Sequence, residues 1–553
     1  MLVALQNPLP FLVAGLVNGA IYALAALGLV FAYRVSGTIN FAHGALGMFA
    51  AFVYWQFNVE WGLPALLAVP LVGFVLPALF GVACERVVFS RLVNSTIFAR
   101  TSATVALLLV LLGLADHFWG GQFIAVPSFF PKRLVSLPGV VVSAQQIGVI
   151  AVSAAMVVAL VAILKYTRLG LEVRAVVDRR DLAELRGVAA QRIDTTAWAI
   201  SFVVAALSGI LLAPLTGSDS TKLTLVVVYS LVAVAIGGMH SLPRTVAGGV
   251  AIGLLDSLFL GYMPQGTATA SARGVLPFAL MLIAVLVQAR RLGLTNGGEG
   301  RQGIRSLLSD LGMRLGEVRP REVKPLGIAV ALLLLFVVKL VFGDFWLFLI
   351  GTGIAYGIIF LSFQLFTSAT GLVSLAQGAF AGTGAFATAI LVGRGFPWGI
   401  AVLGGVMVAA ALGVVVALPT ARVRGIFMVL ATLAFAQLIQ TTAFTNSAVI
   451  GGRALGGSNG GRPLPRPAGF DGTLQFTLLC FAVFVGAALV SVQVRRSSLG
   501  RALRADASSR AGAMSIGIRP QLGRLAIFVV SAAIAGLGGA LLAASSVFVF
   551  AST

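Results

Sequence analysis

Residues Gly37–Phe52 read G-T-I-N-F-A-H-G-A-L-G-M-F-A-A-F, and residues Gly371–Phe386 read G-L-V-S-L-A-Q-G-A-F-A-G-T-G-A-F. The two stretches share their first Gly, the Ala before the polar residue, the Gly-Ala after it and the closing Ala-Phe, at an offset of 334 residues (371 − 37). Upstream, Gly19, Ile21 and Tyr22 are answered by Gly353, Ala355 and Tyr356. A second anchor lies further on: L-G-L-E-V-R-A from Leu169 is answered by L-G-R-A-L-R-A from Leu499, and L-S-G-I-L-L-A from Leu207 by L-G-G-A-L-L-A from Leu537, now at an offset of 330 (499 − 169). Two anchors in the same order with so little drift are not a product of apolar composition alone. The chain is an internal duplication, and the repeat fixes the architecture before any helix is placed.

Composition sets the class. Of 553 residues, 59% are hydrophobic and 10% charged, with a mean hydropathy of +1.03. So few charges cannot cover that much apolar surface in water, so the chain reads as an all-α polytopic membrane protein. Its formal net charge of +21 would suggest nucleic acid in a soluble chain. Here the arginines cluster in short gaps between apolar runs, where they report orientation, and no nucleic-acid role follows. Cys84 and Cys480 lie inside apolar runs without ligand spacing and read as packing residues, so neither a disulfide framework nor a metal site is expected. The N-terminal apolar run lacks a basic start and a cleavage site, and reads as a first span rather than a signal peptide.

About 20 residues are needed to cross the hydrocarbon core. The first half offers runs near 10–33, 38–57, 62–84, 101–118, 144–165, 196–215, 225–240, 245–262 and 273–289, and every second gap between them is basic. By the positive-inside rule those gaps face the cytoplasm, which places the N-terminus outside and makes 119–143 an external loop. Residues 1–293 form the first half, and 294–324, rich in Gly, Arg, Glu and Asp, a cytoplasmic linker. An inside linker would invert the second half unless one extra span intervened, and 325–342 supplies it. The second half, 325–553, continues with runs near 345–366, 371–393, 398–418, 425–444, 474–493 and 523–548, for about 16 spans in all. The two bundles are therefore parallel repeats, related by an axis along the membrane normal. The expected arrangement is a pseudo-twofold pair with the pathway between the halves.

The run from Asn18 to Gly44, N-G-A-I-Y-A-L-A-A-L-G-L-V-F-A-Y-R-V-S-G-T-I-N-F-A-H-G, resembles the first permease subunit of bacterial branched-chain amino acid ABC importers. The run from Gly353, with S-L-A-Q-G at Ser374–Gly378, resembles the partner permease. In that family the two are usually separate chains; here they are joined, and the resemblance covers nearly the whole chain apart from the linker. It implies a multi-pass permease of the bacterial inner membrane. Two separate ABC ATPase subunits, a periplasmic or lipid-anchored solute-binding protein and a small amino acid-like substrate are the implied partners. Relatives of the class carry urea and short amides, so the signatures leave the solute open.

Such a protein needs no catalytic residues. The candidates for the substrate pathway are the polar members of the two signatures, Asn40, His43, Ser374 and Gln377, with Tyr22 and Tyr356 one span earlier. Polar side chains in a span face a cavity or another helix. Two readings stay open: solute contact, or helix capping by Asn40 and Ser374 and an interhelical hydrogen bond by His43. ABC importers carry a cytoplasmic loop with a short helix, ending at a glycine, that docks into the ATPase. The resemblance places it at Arg174, Ala183, Glu184 and Gly187 in the first half and at Arg504, Ala513 and Gly517 in the second. The competing reading is an ordinary amphipathic helix in a basic gap.

A phosphate-binding G-x-x-x-x-G-K-[ST] is absent, so no cofactor is expected on this chain and ATP acts through the partner ATPases. The alternative of an ion-coupled transporter would need ionisable groups within spans, and Asp116, His117 and Asp256 are not repeated between halves. A passive urea or amide channel is the other alternative. Finally, at the offset of 330 Thr553 matches Leu223, so the first half has roughly 65 further residues without a counterpart. The second half is expected to be a C-terminally shortened copy.

Overall fold

The computed structural model describes residues 7–93, 97–120, 125–131, 133–216, 226–239, 241–262, 267–293, 343–420, 426–444, 461–508, 510–515, 520–546 and 548–550, with isolated positions between these stretches. The expected linker 294–324 and nearly all of the expected span 325–342 lie outside them, as do residues 446–460 of the long second-half loop. The chain divides into two compact units, Met1–Ala284 and Val285–Thr553.

Unit 1 holds α1 (Leu9–Ser36), α2 (His43–Trp55), α3 (Ala65–Leu92, interrupted by π-helical turns), α4 (Ile97–Trp119), α5 (Ala144–Tyr166), α6 (Arg168–Leu185), α7 (Ala190–Thr216), α8 (Val226–Gly237) and α9 (Leu242–Tyr262). Helix α10 (Thr267–Gly293) carries the chain across the boundary. Between α4 and α5 the Pro-rich segment folds a hairpin, β1 (Leu134–Leu137) with β2 (Val140–Ser143). Its turn is Pro138–Gly139, with Gly139 at φ +84°, a proline and glycine pairing suited to a tight reversal. Helix α5 then starts with a capping box, Ser143 Oγ accepting from the Gln146 N–H and Gln146 reaching back to the Ser143 N–H.

Helices α1 and α7 are apolar all round and largely buried, and they form the centre of the unit. The flanks of α3, α4 and α5 leave Leu67, Leu79, Leu109, Val110 and Val158 exposed, as lipid-facing spans do. With no hydrophobic force between helices in lipid, packing depends on close backbone approach at small residues. On α1, Gly15 and Gly19 cross Gly249 and Gly253 of α9, and a Cβ on Gly253 would stand 2.2 Å from the Gly19 nitrogen.

Unit 2 holds α11 (Asp344–Thr370), α12 (Gln377–Gly393), α13 (Trp398–Thr420), α14 (Ile426–Thr442), α15 (Thr473–Arg496), α16 (Ser498–Ser508), α17 (Arg510–Ser515) and α18 (Pro520–Ser546), and β3 (Gly461–Pro463) pairs with β4 (Phe548–Phe550). Helix α18 is central and packs on α11, α12 and α13. The repeat offsets map one unit onto the other element by element: α11 ends as α1 does, α12 starts as α2 does, and α15, α16 with α17, and α18 stand for α5, α6 and α7. Helices α8, α9 and α10 have no counterpart after α18 among the described residues. Correspondingly Gly353, the counterpart of Gly19, has nothing within 4 Å of a Cβ.

Candidate functional site

Each signature is a break in a membrane helix. Helix α1 ends at Gly37 and α11 at Gly371, both left-handed at φ +68°, each N–H donating to a carbonyl four residues back, Tyr33 and Thr367. That conformation favours glycine and closes the helix end. The next residues are irregular and buried: Thr38, Ile39, Asn40 and Ala42 in unit 1, Val373, Ser374 and Ala376 in unit 2. Irregular backbone at membrane depth persists only where protein supplies its hydrogen bonds. A threonine from the fourth long helix does so in each unit. The Phe41 N–H donates to Thr104 Oγ1 at 3.4 Å, and the Thr104 hydroxyl lies 3.1 Å from the Ile39 carbonyl oxygen. The Leu375 N–H donates to Thr432 Oγ1 at 3.0 Å.

The pathway candidates sit within this construction. Asn40 Oδ1 accepts from the Ala42 N–H at 3.1 Å, and Ser374 Oγ from the Ala376 N–H at 3.4 Å, so both bond the turn that opens the next helix. Gln377 is the hub of a buried network: it accepts from Ser362 Oγ at 3.2 Å and donates from Nε2 to Ser531 Oγ at 3.0 Å, while Ser531 donates to the Ser362 carbonyl at 2.8 Å. Three helices, α11, α12 and α18, are joined by it. The same three positions in unit 1 are Gly28, His43 and Ser201. There a Cβ on Gly28 would stand 2.8 Å from His43 Cε1, and His43 and Ser201 are fully buried, with the Ala25 backbone as the imidazole's polar neighbour and no partner for Ser201 Oγ among the described residues. The imidazole fills by volume the place where unit 2 uses hydroxyl and amide. Tyr22 is buried and stacks on Tyr229, rings 4.6 Å apart and 4° from parallel; Tyr356 is 44% exposed.

The loop helices are likewise built twice. Thr167 Oγ1 accepts from the Gly170 N–H, and Ser497 Oγ from the Gly500 N–H, each at 3.3 Å. A Cβ on Gly170 would lie 2.2 Å from the Leu164 carbonyl oxygen and one on Gly500 2.5 Å from that of Arg495, so the Leu-Gly of each anchor lets the loop helix fold tightly onto the preceding span. Arg174 donates to the Leu164 carbonyl at 3.2 Å and Arg504 to the Arg495 carbonyl at 3.0 Å, each cation on the C-terminal end of that span. Helix α6 breaks at Arg179 (φ −148°, ψ 90°), and the second-half loop is described as helical over Ser498–Ser508 and Arg510–Ser515. Ala183 and Ala513 are buried. Gly187 (φ +84°) and Gly517 (φ +81°) follow in left-handed conformation with nothing within 4 Å of a Cβ, so backbone geometry is what requires glycine there. Glu184 is exposed and pairs with Arg180 at 3.1 Å.

In unit 1 the loop helix rests on Phe31 and Val35 of α1 and on Ile193 and Ala197 of α7, through Val173, Val176 and Ala183. Arg180 also reaches Asp194 of α7 at 2.8 Å. Burial opposes the Arg180 charge, but the Asp194 and Glu184 carboxylates outweigh it and hold the guanidinium above its ordinary pKa. In unit 2, Asp506 of α16 pairs with Arg524 of α18 at 2.6 Å. Thr104, Thr432, Ser362, Ser531 and these ion pairs were not singled out from sequence. The threonines and serines carry no local signal, and the pairs join residues whose proximity only the fold reveals.

The two repeated units, with helices long and apolar enough to cross a membrane, define a duplicated multi-pass helical membrane protein. The family described as branched-chain amino acid transport system / permease component matches residues 11–285 and again residues 345–553, and the chain belongs to it. The chain is similar to the high-affinity branched-chain amino acid transport system permease protein LivH of Escherichia coli K12, 26% identical over 287 residues, 49% of this chain and 91% of LivH. BraD of Pseudomonas aeruginosa, a permease protein of the same description, is 26% identical over 258 residues, 44% of this chain and 84% of BraD. LivM of E. coli K12 is 28% identical over 254 residues, 39% of this chain and 58% of LivM. No solved structure matches.

Proposed function

We propose that this chain is the membrane-spanning part of an ATP-driven importer of branched-chain amino acids, with ATP bound and hydrolysed in separate ATPase subunits and solute delivered by a binding protein outside the membrane. The observation that carries the reading is the pair of matching loop helices. Each is capped by a hydroxyl at its start, folded onto the span before it and followed by a left-handed glycine. A loop built to one plan in both halves, on the face marked by basic residues, suits a protein that meets two copies of one motor. In this reading Arg174, Ala183, Glu184 and Gly187, with Arg504, Ala513 and Gly517, form the two coupling loops. The solute class rests on the family and on the names its relatives carry. The burial and local bonding of Asn40, Ser374 and Gln377 support helix fastening over direct solute contact, whereas Tyr356 is open to contact.

The test is uptake of labelled leucine by cells lacking their own branched-chain transport that express the full chain with its neighbouring ATPases and binding protein. Accumulation above the external concentration, competed by valine and isoleucine and indifferent to urea, is the expected result. Competition by urea instead, or equilibration that persists without the ATPases, would replace the reading with an amide carrier or a channel.

A further inference from the structure

Asp194 and Arg524 occupy one position of the repeat, at the start of the helix that follows the loop, yet carry opposite charges. Each is paired, within its own unit, to a residue of the loop helix carrying the complementary charge: Arg180 to Asp194 at 2.8 Å and Asp506 to Arg524 at 2.6 Å, the latter with a second contact from Nε at 3.1 Å. The loop residues are not themselves counterparts. At the offset of 330, Arg180 answers to Arg510 and Asp506 to Val176, so the two pairs join the same elements from loop positions four residues apart (180 − 176). Both pairs are shielded. The side-chain exposures are 24% and 6% for Arg180 and Asp194, and 3% and 12% for Asp506 and Arg524. In both carboxylates Oδ2 takes the pair, while Oδ1 is buried without a partner.

A buried ion pair adds little net stability compared with well-packed apolar residues. Two halves that have lost each other's charges but kept a pair between the same elements are retaining the link and not a particular charge. The link ties the loop helix to α7 in unit 1 and to α18 in unit 2, the central helix of each unit. Among the charged groups facing the first pair, Glu184 bonds the same guanidinium, and Arg100 holds the Ser36 carbonyl at the end of α1 at 3.0 Å. The unit 1 link therefore sits beside the helix break that carries Asn40 and His43.

We infer that Arg180–Asp194 and Asp506–Arg524 are equivalent positioning clamps of opposite polarity, which make each loop and the central helix after it move as one body. The inference rests on the coupling-loop reading above. A displacement imposed on the loop by a nucleotide-dependent motor is then passed to α7 and α18.

The experiment uses the full chain purified with its ATPases and reconstituted in vesicles. The single variants are Asp194→Asn, Arg524→Gln, Asp194→Arg and Arg524→Asp, and the charge swaps are Arg180→Asp with Asp194→Arg, and Asp506→Arg with Arg524→Asp. ATPase retention, ATP hydrolysis and leucine uptake are measured for each. The clamps predict that single variants keep their ATPases and hydrolyse ATP while uptake falls about tenfold or more, and that each swap recovers most of the uptake. Hydrolysis and uptake falling together with loss of the ATPases, unrelieved by the swap, would mean a folding role alone and overturn the inference. Unchanged uptake in the single variants would overturn it equally. Failure of the coupling-loop reading is separately visible: Gly187→Arg and Gly517→Arg would then leave ATPase retention and uptake intact.

Discussion

Gly209 lies so close against Gly47 that a β-carbon on Gly209 would stand 2.0 Å from the Gly47 carbonyl oxygen. Their repeat counterparts reproduce the contact, a β-carbon on Gly539 falling 2.0 Å from the Ala381 carbonyl oxygen. The crossing of α2 on α7, and of α12 on α18, is thus fixed by backbone touching backbone, which is how the helix after each break is held to the central helix of its unit. Overpacking of this kind costs about 1–3 kcal/mol for a side chain that has somewhere to move, and a carbonyl has less freedom than that. Gly209→Ala and Gly539→Ala are therefore expected to lower the thermal unfolding midpoint in detergent. Gly113→Ala is the control: it lies inside α4 with nothing within 4 Å of a Cβ, and is expected to gain about 0.5–1 kcal/mol.

Thr104 and Thr432 are expected to be indispensable to the helix breaks. Thr104→Val and Thr432→Val keep the shape and remove the acceptor of the Phe41 or Leu375 N–H, leaving a buried donor unpaired at a cost of about 1–3 kcal/mol. Serine at either site retains the oxygen and is expected to restore most of the loss. The check is the unfolding midpoint of each variant, and equal midpoints for valine and serine would remove the threonine from the account.

The buried triads predict an exchange between units. Gly28→Ser alone drives a side chain into the His43 ring and is expected to destabilise. Combined with His43→Gln it rebuilds, around Ser201, the set that unit 2 makes from Ser362, Gln377 and Ser531. The double variant is expected to be more stable than the sum of the single changes by about 0.5–3 kcal/mol, the range for residues in contact. A double-mutant cycle that closes without coupling would show that the two triads are not equivalent.

At Gly187 and Gly517 the requirement is a left-handed backbone with open space around it. Asparagine visits that conformation more readily than other side chains. Gly187→Asn and Gly517→Asn are expected to keep membrane insertion and most of the uptake. Gly187→Arg and Gly517→Arg keep insertion and abolish uptake, because they place a long cation where the loop meets its partner. Uptake surviving both arginine variants would sink the docking assignment.

Much of the frame was legible in the chain itself. The offsets read from Gly37, Gly371, Leu169 and Leu499 proved to align helix ends, since Gly37 and Gly371 share one conformation and Gly170 and Gly500 one close approach. Glycines at such places are visible in sequence because nothing else fits. The polar signature residues were visible too, but their surroundings were not. Whether Gln377 faces solute or Ser531 depends on a contact across 154 positions of chain, and His43 has no such partner although it holds the same repeat position. Charge pairing was the least legible: Asp194 and Arg524 align with opposite signs, and sequence alone offers Arg180 several acidic neighbours, Asp178, Asp181 and Glu184, before Asp194.

The most direct test of the account is cross-linking from both loops to the ATPase subunits. Glu184→Cys and Ser515→Cys place exposed thiols on the two loop helices, and the native Cys84 and Cys480 are buried. With a short thiol-reactive cross-linker in membranes containing the full chain and its ATPases, each variant is predicted to trap one ATPase subunit, with a yield that changes on adding nucleotide. An adduct from one loop alone, or from neither, would contradict the claim that the two units meet the motor in the same way.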